Sequence, residues 1–287
     1  MHKPTISIVI GTLGRPIVVT KLLDDLVKYS KKISFEVLVF DQSKENDYKY
    51  LVRRFPKSDN FTLLHNNEPN TCRYLNLGWK KARADIVLYL DDDVRITNDT
   101  LSAHIKSYLD KKVKGVAGRV INSGEFITDI KSVGNIKWKG ALFNKNFSSS
   151  MRCLVDFPYG CNMSFRRSAL LKLGGFDEKL KPPIYSFNEI DIGLRLNKSW
   201  PNSLIFEPEA LVYHDRYPYG GTRTYSKDQV DYWNNFNYGY FLSKNYSWLE
   251  NLFFCVRRLP YQLLLEPKGI LPIINGFVYG KRVKRQS

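Results

Sequence analysis

The sequence predicts an α/β protein, a doubly wound mixed sheet followed by a helical extension at the C-terminal end. Three observations predict it. Between Thr5 and Leu90, apolar runs of strand length alternate with segments whose apolar residues recur at helical spacing. One of those runs, Ile86-Val87-Leu88-Tyr89-Leu90, passes straight into Asp91-Asp92-Asp93, the pattern of a strand covered on both faces whose carboxyl end opens on a ligand crevice. Beyond Gly220-Gly221 the alternation gives way to aromatic and aliphatic segments with interspersed arginines and lysines.

Taken in order, Thr5 to Ile10 predicts a buried strand. Gly11-Thr12-Leu13-Gly14-Arg15-Pro16 then makes a turn that ends in a proline suited to a first helical position, a loop fit to lie beside a phosphate. Val19, Leu22, Leu23, Leu26 and Val27 mark a helix, and Phe35 to Phe40 a second strand ending at Asp41. A helix over 47–55, a strand over 61–65 and a helix over 71–84 carrying Arg73 and Asn76 lead into the strand at 86–90. The first turn lacks the G-x-G-x-x-G fingerprint, which disfavours a nicotinamide-dependent enzyme.

After the carboxylates, Thr97 or Asn98 is placed to cap a helix with Leu101, Ile105, Tyr108 and Leu109 on its apolar face, and 113–120 reads as a strand. From 121 to 157 the pattern loosens into an irregular segment. Order returns at Pro158 to Arg167, followed by a short helix stopped by Gly174-Gly175 and by a helix that carries Glu189 near its N-terminus, where a carboxylate is favoured. Leu204 to Phe206 and Leu211 to Tyr213 bracket a hairpin-like turn at Pro208, leading into His214. The organisation expected is an α/β domain over 1–222, in two halves over about 1–120 and about 121–222, and an extension over 223–287.

Forty-four lysines and arginines against 28 acids give a net charge of +16, which points to a polyanionic partner: a phosphorylated substrate, an anionic membrane surface or nucleic acid. The four cysteines are scattered without a C-x-x-C pair, so neither a zinc site nor a disulfide framework is indicated. The N-terminus enters its first strand too soon for a signal peptide and no apolar run reaches spanning length, so a cytoplasmic location is expected. The extension, with Tyr232, Phe236 and Tyr240 on one helical face and a basic terminus, suits either of two arrangements. It lies on the inner, anionic face of a membrane, or it packs on the α/β domain.

The ordered set Ser7-Ile8-Val9-Ile10-Gly11-Thr12, Asp41, Arg73 with Asn76, Asp91-Asp92-Asp93, Gly160-x-Asn162-Met163-Ser164-x-Arg166-Arg167, Gly174-Gly175-Phe176-Asp177 and Glu189-Ile190-Asp191 before Leu194-Arg195 resembles one family. It is similar to the inverting nucleotide-sugar glycosyltransferases of glycosyltransferase family 2, which have the GT-A fold. The resemblance runs from Ile6 to His214. It implies transfer of a hexosyl group from a UDP- or dTDP-linked donor to a hydroxyl of a glycan or lipid-linked glycan in cell-surface polysaccharide biosynthesis. It implies Mn2+ or Mg2+ held by Asp91, Asp93 and His214, matching the preference of such ions for oxygen ligands. Thr12, Arg15, Asp41, Arg73, Asp91, Asp92 and Arg223 would contact the nucleotide or donor, with Arg216 beside them, and Asn162 the donor sugar or acceptor. The base that takes the acceptor proton would be Glu189 or, as the alternative, Asp191.

Two rivals are weaker. A nucleotidyltransferase wants a glycine- and lysine-rich first loop, and Gly11 to Arg15 is too sparse. A nucleic-acid-binding module leaves three clustered carboxylates unexplained, since acids repel phosphates.

Overall fold

The computed structural model describes the chain except residues 1–2, 30–32, 56–57, 67, 128, 138–141, 184, 248, 252–255, 257–259, 261–263, 265–266 and 287. Its first half is built as the periodicities predict. Strands β1 (Ile6–Thr12), β2 (Phe35–Asp41), β3 (Phe61–His65) and β4 (Ile86–Asp91) alternate with helices α1 (Pro16–Tyr29), α2 (Glu45–Arg54) and α3 (Thr71–Lys81). The four strands are parallel, in the order β3-β2-β1-β4. Burial on both faces explains their unbroken apolar runs: Ile6, Ile8, Ile10, Val37, Val39, Val87 and Leu88 are fully enclosed.

Past β4 the sheet becomes mixed. The next elements are β5 (Val94–Ile96), α4 (Thr100–Ser107), β6 (Gly115–Asn122), β7 (Asn135–Lys137), β8 (Leu142–Asn144), β9 (Cys153–Leu154), β10 (Asn162–Arg166), α5 (Arg167–Leu173), α6 (Asn188–Ser199) and β11 (Leu204–His214). β10 inserts antiparallel between β4 and β6, β11 runs parallel to β6, and β5 closes the edge antiparallel to β11. Within the stretch expected to be irregular, β7 and β8 pair as a small antiparallel ribbon and β9 pairs with β11.

Two local readings are corrected. The hairpin expected at Pro208 is one continuous strand, β11, whose register against β6 shifts between Glu207 and Leu211. Proline has no N–H to give to a ladder and is tolerated at such an irregularity, so it bends the strand without reversing it. Helix α4 takes its cap at Asp99, one residue after Asn98 and two after Thr97, while the Thr97 N–H donates to Thr100 Oγ1 at 2.8 Å.

The C-terminal region forms α7 (Lys227–Asn245), opened by a capping box between Ser226 and Gln229, and α8 (Ile270–Gln286). These two helices pack with glycines at the seam: a Cβ at Gly276 would fall on the Phe236 carbonyl, and one at Gly239 on that of Ile273. Lys244 ties α7 to the main body through Asp177 at 2.6 Å and Asp191 at 2.7 Å. Arg257 and Arg258, part of the basic-aromatic reading of the extension, lie outside the described residues. No described helix is long and apolar enough to cross a membrane.

Candidate active site

The strand order reverses between β1 and β4: β2 and β3 lie to one side of β1, and β4 to the other. Open α/β sheets bind ligands at such a point, beyond the carboxyl ends of the strands. Register brings Thr12 level with Asp41 and Gly11 level with Asp91 there. A cleft of about 450 Å³ opens above these ends, lined by Thr12, Arg15, Gln42, Asp91, Asp92, Asp93, Glu189, His214 and Arg223, among others.

The three consecutive carboxylates play different parts. Asp92 is sealed in: it accepts from Thr12 Oγ1 at 2.6 Å and pairs with Arg15 at 2.6 Å. Burial pushes its carboxyl up to about 7 against the pull of Arg15. Asp93 pairs with Arg15 at 2.8 Å and with His214 Nε2 at 3.1 Å. Burial would raise Asp93, but these partners hold it below the ordinary carboxylate value. Asp91 faces the cleft, and burial and the neighbouring charge of Asp93 raise it.

His214 arrives from the far end of the sheet because β11 pairs with β5, level with Val94. Its Nδ1 meets Asn122 Oδ1 at 3.0 Å, which orients the ring and turns Nε2 toward Asp93. Burial alone would lower its pKa, yet the hydrogen bond to Asp93 and the charges of Asp91 and Asp93 raise it. One ligand atom from each of Asp91, Asp93 and His214 lies within 4.8 Å of the others. Two carboxylate oxygens and one imidazole, with the Asp91 carboxyl raised by burial and by the charge of Asp93, form a donor set that fits a hard divalent cation.

Glu189 sits on another wall of the cleft, in the first turn of α6. Burial raises its carboxyl, with a further push from Asp91 opposed by Lys145. Asp41, at the end of β2, is almost fully enclosed. Its Oδ1 accepts from the Ser43 N–H at 3.0 Å, and its Oδ2 has no hydrogen-bond partner among the described residues. Asp41 is itself absent from the cleft lining, whereas its chain neighbour Gln42 belongs to it, so the unpaired oxygen lies one residue behind the wall.

Four expected contacts are corrected. Asn162 is fully buried behind the cleft: its amide donates to the carbonyls of Arg119 and Ala210, and its oxygen meets His104 Nε2 at 2.9 Å. It cross-links β10, β6 and β11 and touches no ligand space. Asp191 points to the opposite side of α6 from Glu189, since residues two apart on a helix do not share a face. It is consumed by Arg195 at 2.8 Å and Lys244 at 2.7 Å. Arg73 is half exposed on α3, pairs with Glu68 at 3.4 Å and is absent from the cleft lining. Arg15 does reach the cleft wall, but its guanidinium is committed to Asp92 and Asp93. Lys145 also lines the cleft, and no sequence signal marks it, since it lies in the loosened stretch before Pro158.

Residues 7–174, more than half of the chain, match the family described as Glycosyl transferase family 2. The chain belongs to glycosyltransferase family 2. Similar curated proteins are the O-antigen biosynthesis protein RfbC of Myxococcus xanthus, 21% identical over 80% of this chain, and the poly(ribitol-phosphate) beta-N-acetylglucosaminyltransferase TarS of Staphylococcus aureus, 28% identical over 42% of it. The chain spans 18% and 23% of their lengths. Among solved structures the GT-A fold is shared with GalNAc-T7 in complex with UDP, GalNAc and Mn2+, at a TM-score of 0.67 and 15% identity over 89% of this chain and 51% of that one. It is also shared with the mannosyltransferase PcManGT of Pyrobaculum calidifontis in complex with GDP-Man and Mn2+, at 0.60 and 16% over 98% and 76%. The match to a family described as glycosyl transferases favours that reading over both rivals.

Proposed function

We propose that this family 2 enzyme is a divalent-metal-dependent, inverting transferase that moves a hexosyl group from a UDP- or dTDP-linked donor to a hydroxyl of a glycan or lipid-linked glycan. The reaction would take place in the cytoplasm, in cell-surface polysaccharide biosynthesis. The observation that carries this reading is the placement of Glu189 and the Asp91, Asp93, His214 group on walls of one cleft. Asp91, Asp93 and His214 would hold Mn2+ or Mg2+, which when bound neutralises charge developing on the leaving diphosphate. The names of RfbC and TarS support a role in surface polysaccharide assembly, and the Mn2+ bound by GalNAc-T7 and PcManGT, which share the fold, supports the metal.

Within that reading each residue has a task. Asp41 accepts a hydrogen bond from the pyrimidine ring through its unpaired Oδ2. Arg223 and Arg216, both on the cleft, stand beside the diphosphate as charge-assisted donors. The acceptor oxygen attacks the anomeric carbon on the face opposite the diphosphate, its bond forming as the carbon–oxygen bond to phosphate breaks. Glu189 takes the proton that the acceptor hydroxyl gives up, and the electron pair leaves with the diphosphate. A carboxyl raised by burial holds a proton more strongly than an exposed one, which suits a base. Arg15, bound to Asp92 and Asp93, keeps the acidic loop folded.

Donor consumption measured across UDP-, dTDP- and GDP-sugars, with and without Mn2+, tests the proposal. Turnover of a pyrimidine donor that requires the ion, and is lost in Asp93→Asn, is expected. Equal turnover in excess chelator would refute the metal, and exclusive use of GDP-sugars would refute the pyrimidine role of Asp41.

A further inference from the structure

The two helices of the extension pack on each other by one face, and the opposite face of α8 is exposed. On α8, Ile273, Gly276 and Gly280 turn inward, and their close approach to α7 fixes the rotation of the helix. Leu271, Ile274, Asn275, Val278, Arg282 and Arg285 are all exposed, at spacings that lay them along one opposite stripe. Leu271 is 65% and Ile274 52% exposed. Because glycine contacts lock the register of α8 against α7, the apolar stripe cannot rotate inward to be covered. Leu264 and Val256, ahead of α8, are also exposed, at 80% and 70%.

Charge identifies what this face meets. Residues 267–287 contain five lysines and arginines and no aspartate or glutamate. The stripe is apolar toward the start of α8 and cationic toward its end. A second copy of the chain brought face to face in parallel would set Arg282 and Arg285 against like charges, with no acid in the segment to pair them. A phospholipid surface supplies both complements at once: acyl boundary for Leu271, Ile274 and Val278, and phosphates for the arginines.

We propose that the outward face of α8 docks the protein peripherally on a bilayer surface carrying anionic phospholipid. The apolar turns enter the boundary between headgroups and acyl chains, and Arg282 and Arg285 stay among the phosphates. The docking proposed is peripheral, and no described helix is long and apolar enough to cross a membrane. The proposal stands apart from the catalytic reading, because docking needs neither donor nor acceptor.

The test is co-sedimentation of the full chain with vesicles of phosphatidylcholine alone and of phosphatidylcholine mixed with phosphatidylglycerol. Binding to the mixed vesicles that weakens with salt is expected. Replacing Leu271, Ile274 and Val278 together by Gln lowers the partition coefficient at least about tenfold. Arg282→Gln with Arg285→Gln lowers it roughly thirtyfold at low ionic strength. Lys49→Gln, on α2, leaves it unchanged. If the triple variant does not fold, the double arginine variant carries the test, since those side chains are exposed. Equal binding to both vesicle types, or unchanged binding by the variants, overturns the proposal. So does a dimer, seen by light scattering without lipid, that the triple variant abolishes.

Discussion

Lys244→Met tests how the extension holds the catalytic body. The ammonium lies 2.6 Å from Asp177 and 2.7 Å from Asp191, whose side chains are only 12% and 4% exposed, while its own is 24% exposed. Removing one partner of a buried pair costs about 3–5 kcal/mol, because the other charge stays buried. Here Arg195 still serves Asp191 and the Tyr240 hydroxyl still serves Asp177, and Lys244 is partly solvated, so the expected loss is roughly 2–3 kcal/mol. For a chain of this size that lowers Tm by roughly 5–10 °C.

The pH dependence has a definite sign. Burial raises Asp177, but Lys244, the Lys179 N–H and Tyr240 together hold it below its ordinary value of 3.8. A depressed carboxyl contributes stability that is present above its unfolded value and lost as pH falls through its folded one. The difference between wild type and variant should therefore be full near neutrality and shrink below pH 3.8. Thermal and urea unfolding across that range is the assay. A loss under about 0.5 kcal/mol at neutral pH, the level of a surface ion pair, would refute the reasoning.

Arg15→Met should cost about 3–5 kcal/mol, since it strands Asp92 and Asp93, whose side chains are 0% and 2% exposed, and added Mn2+ should restore part of the lost Tm. Asn162→Ala should cost about 2–4 kcal/mol by removing the partner of His104 Nε2 and the amide donor to two carbonyls, with kcat of the folded protein unchanged, as kinetics at a temperature below its Tm will report. The acid limb of the transfer rate should lie above the ordinary carboxylate range, because Glu189 must be ionised and burial raises it; a limb at the ordinary position would count against its role. The same raised carboxyl contributes stability that is present at acid pH and lost as pH rises through its folded value. Glu189→Gln should therefore raise Tm at neutral pH.

The first half of the fold was legible because a parallel sheet covered on both faces writes long apolar runs, and β1 to β4 carry them. The short edge strand β5 is three residues long, too brief to show a period. Pro208 looked like a reversal because the sequence does not reveal that β6 lies alongside on both sides of it. At the site, residue type and order singled out the carboxylate cluster and Glu189, which the structure brings to one cleft. Asn162, Asp191 and Arg73 could not be placed, because each is a polar residue whose direction is set by tertiary neighbours. Asp191 sits two positions from Glu189, and which of them faces the cleft depends on the helix rotation that Arg195 and Lys244 fix. Arg15 shows the same limit: a cation in a first loop reads as a phosphate binder until its buried carboxylate partners are seen.

Glu189 is proposed to take the acceptor proton in a cleft whose other walls would hold the ion and the nucleotide. Single-turnover transfer by Glu189→Gln, measured beside Mn2+ and donor affinity by calorimetry, tests it most directly. The account predicts a rate lowered about 10²–10⁴-fold with both affinities kept. Transfer within about tenfold of wild type, or a lost rate explained wholly by lost donor affinity, would contradict it.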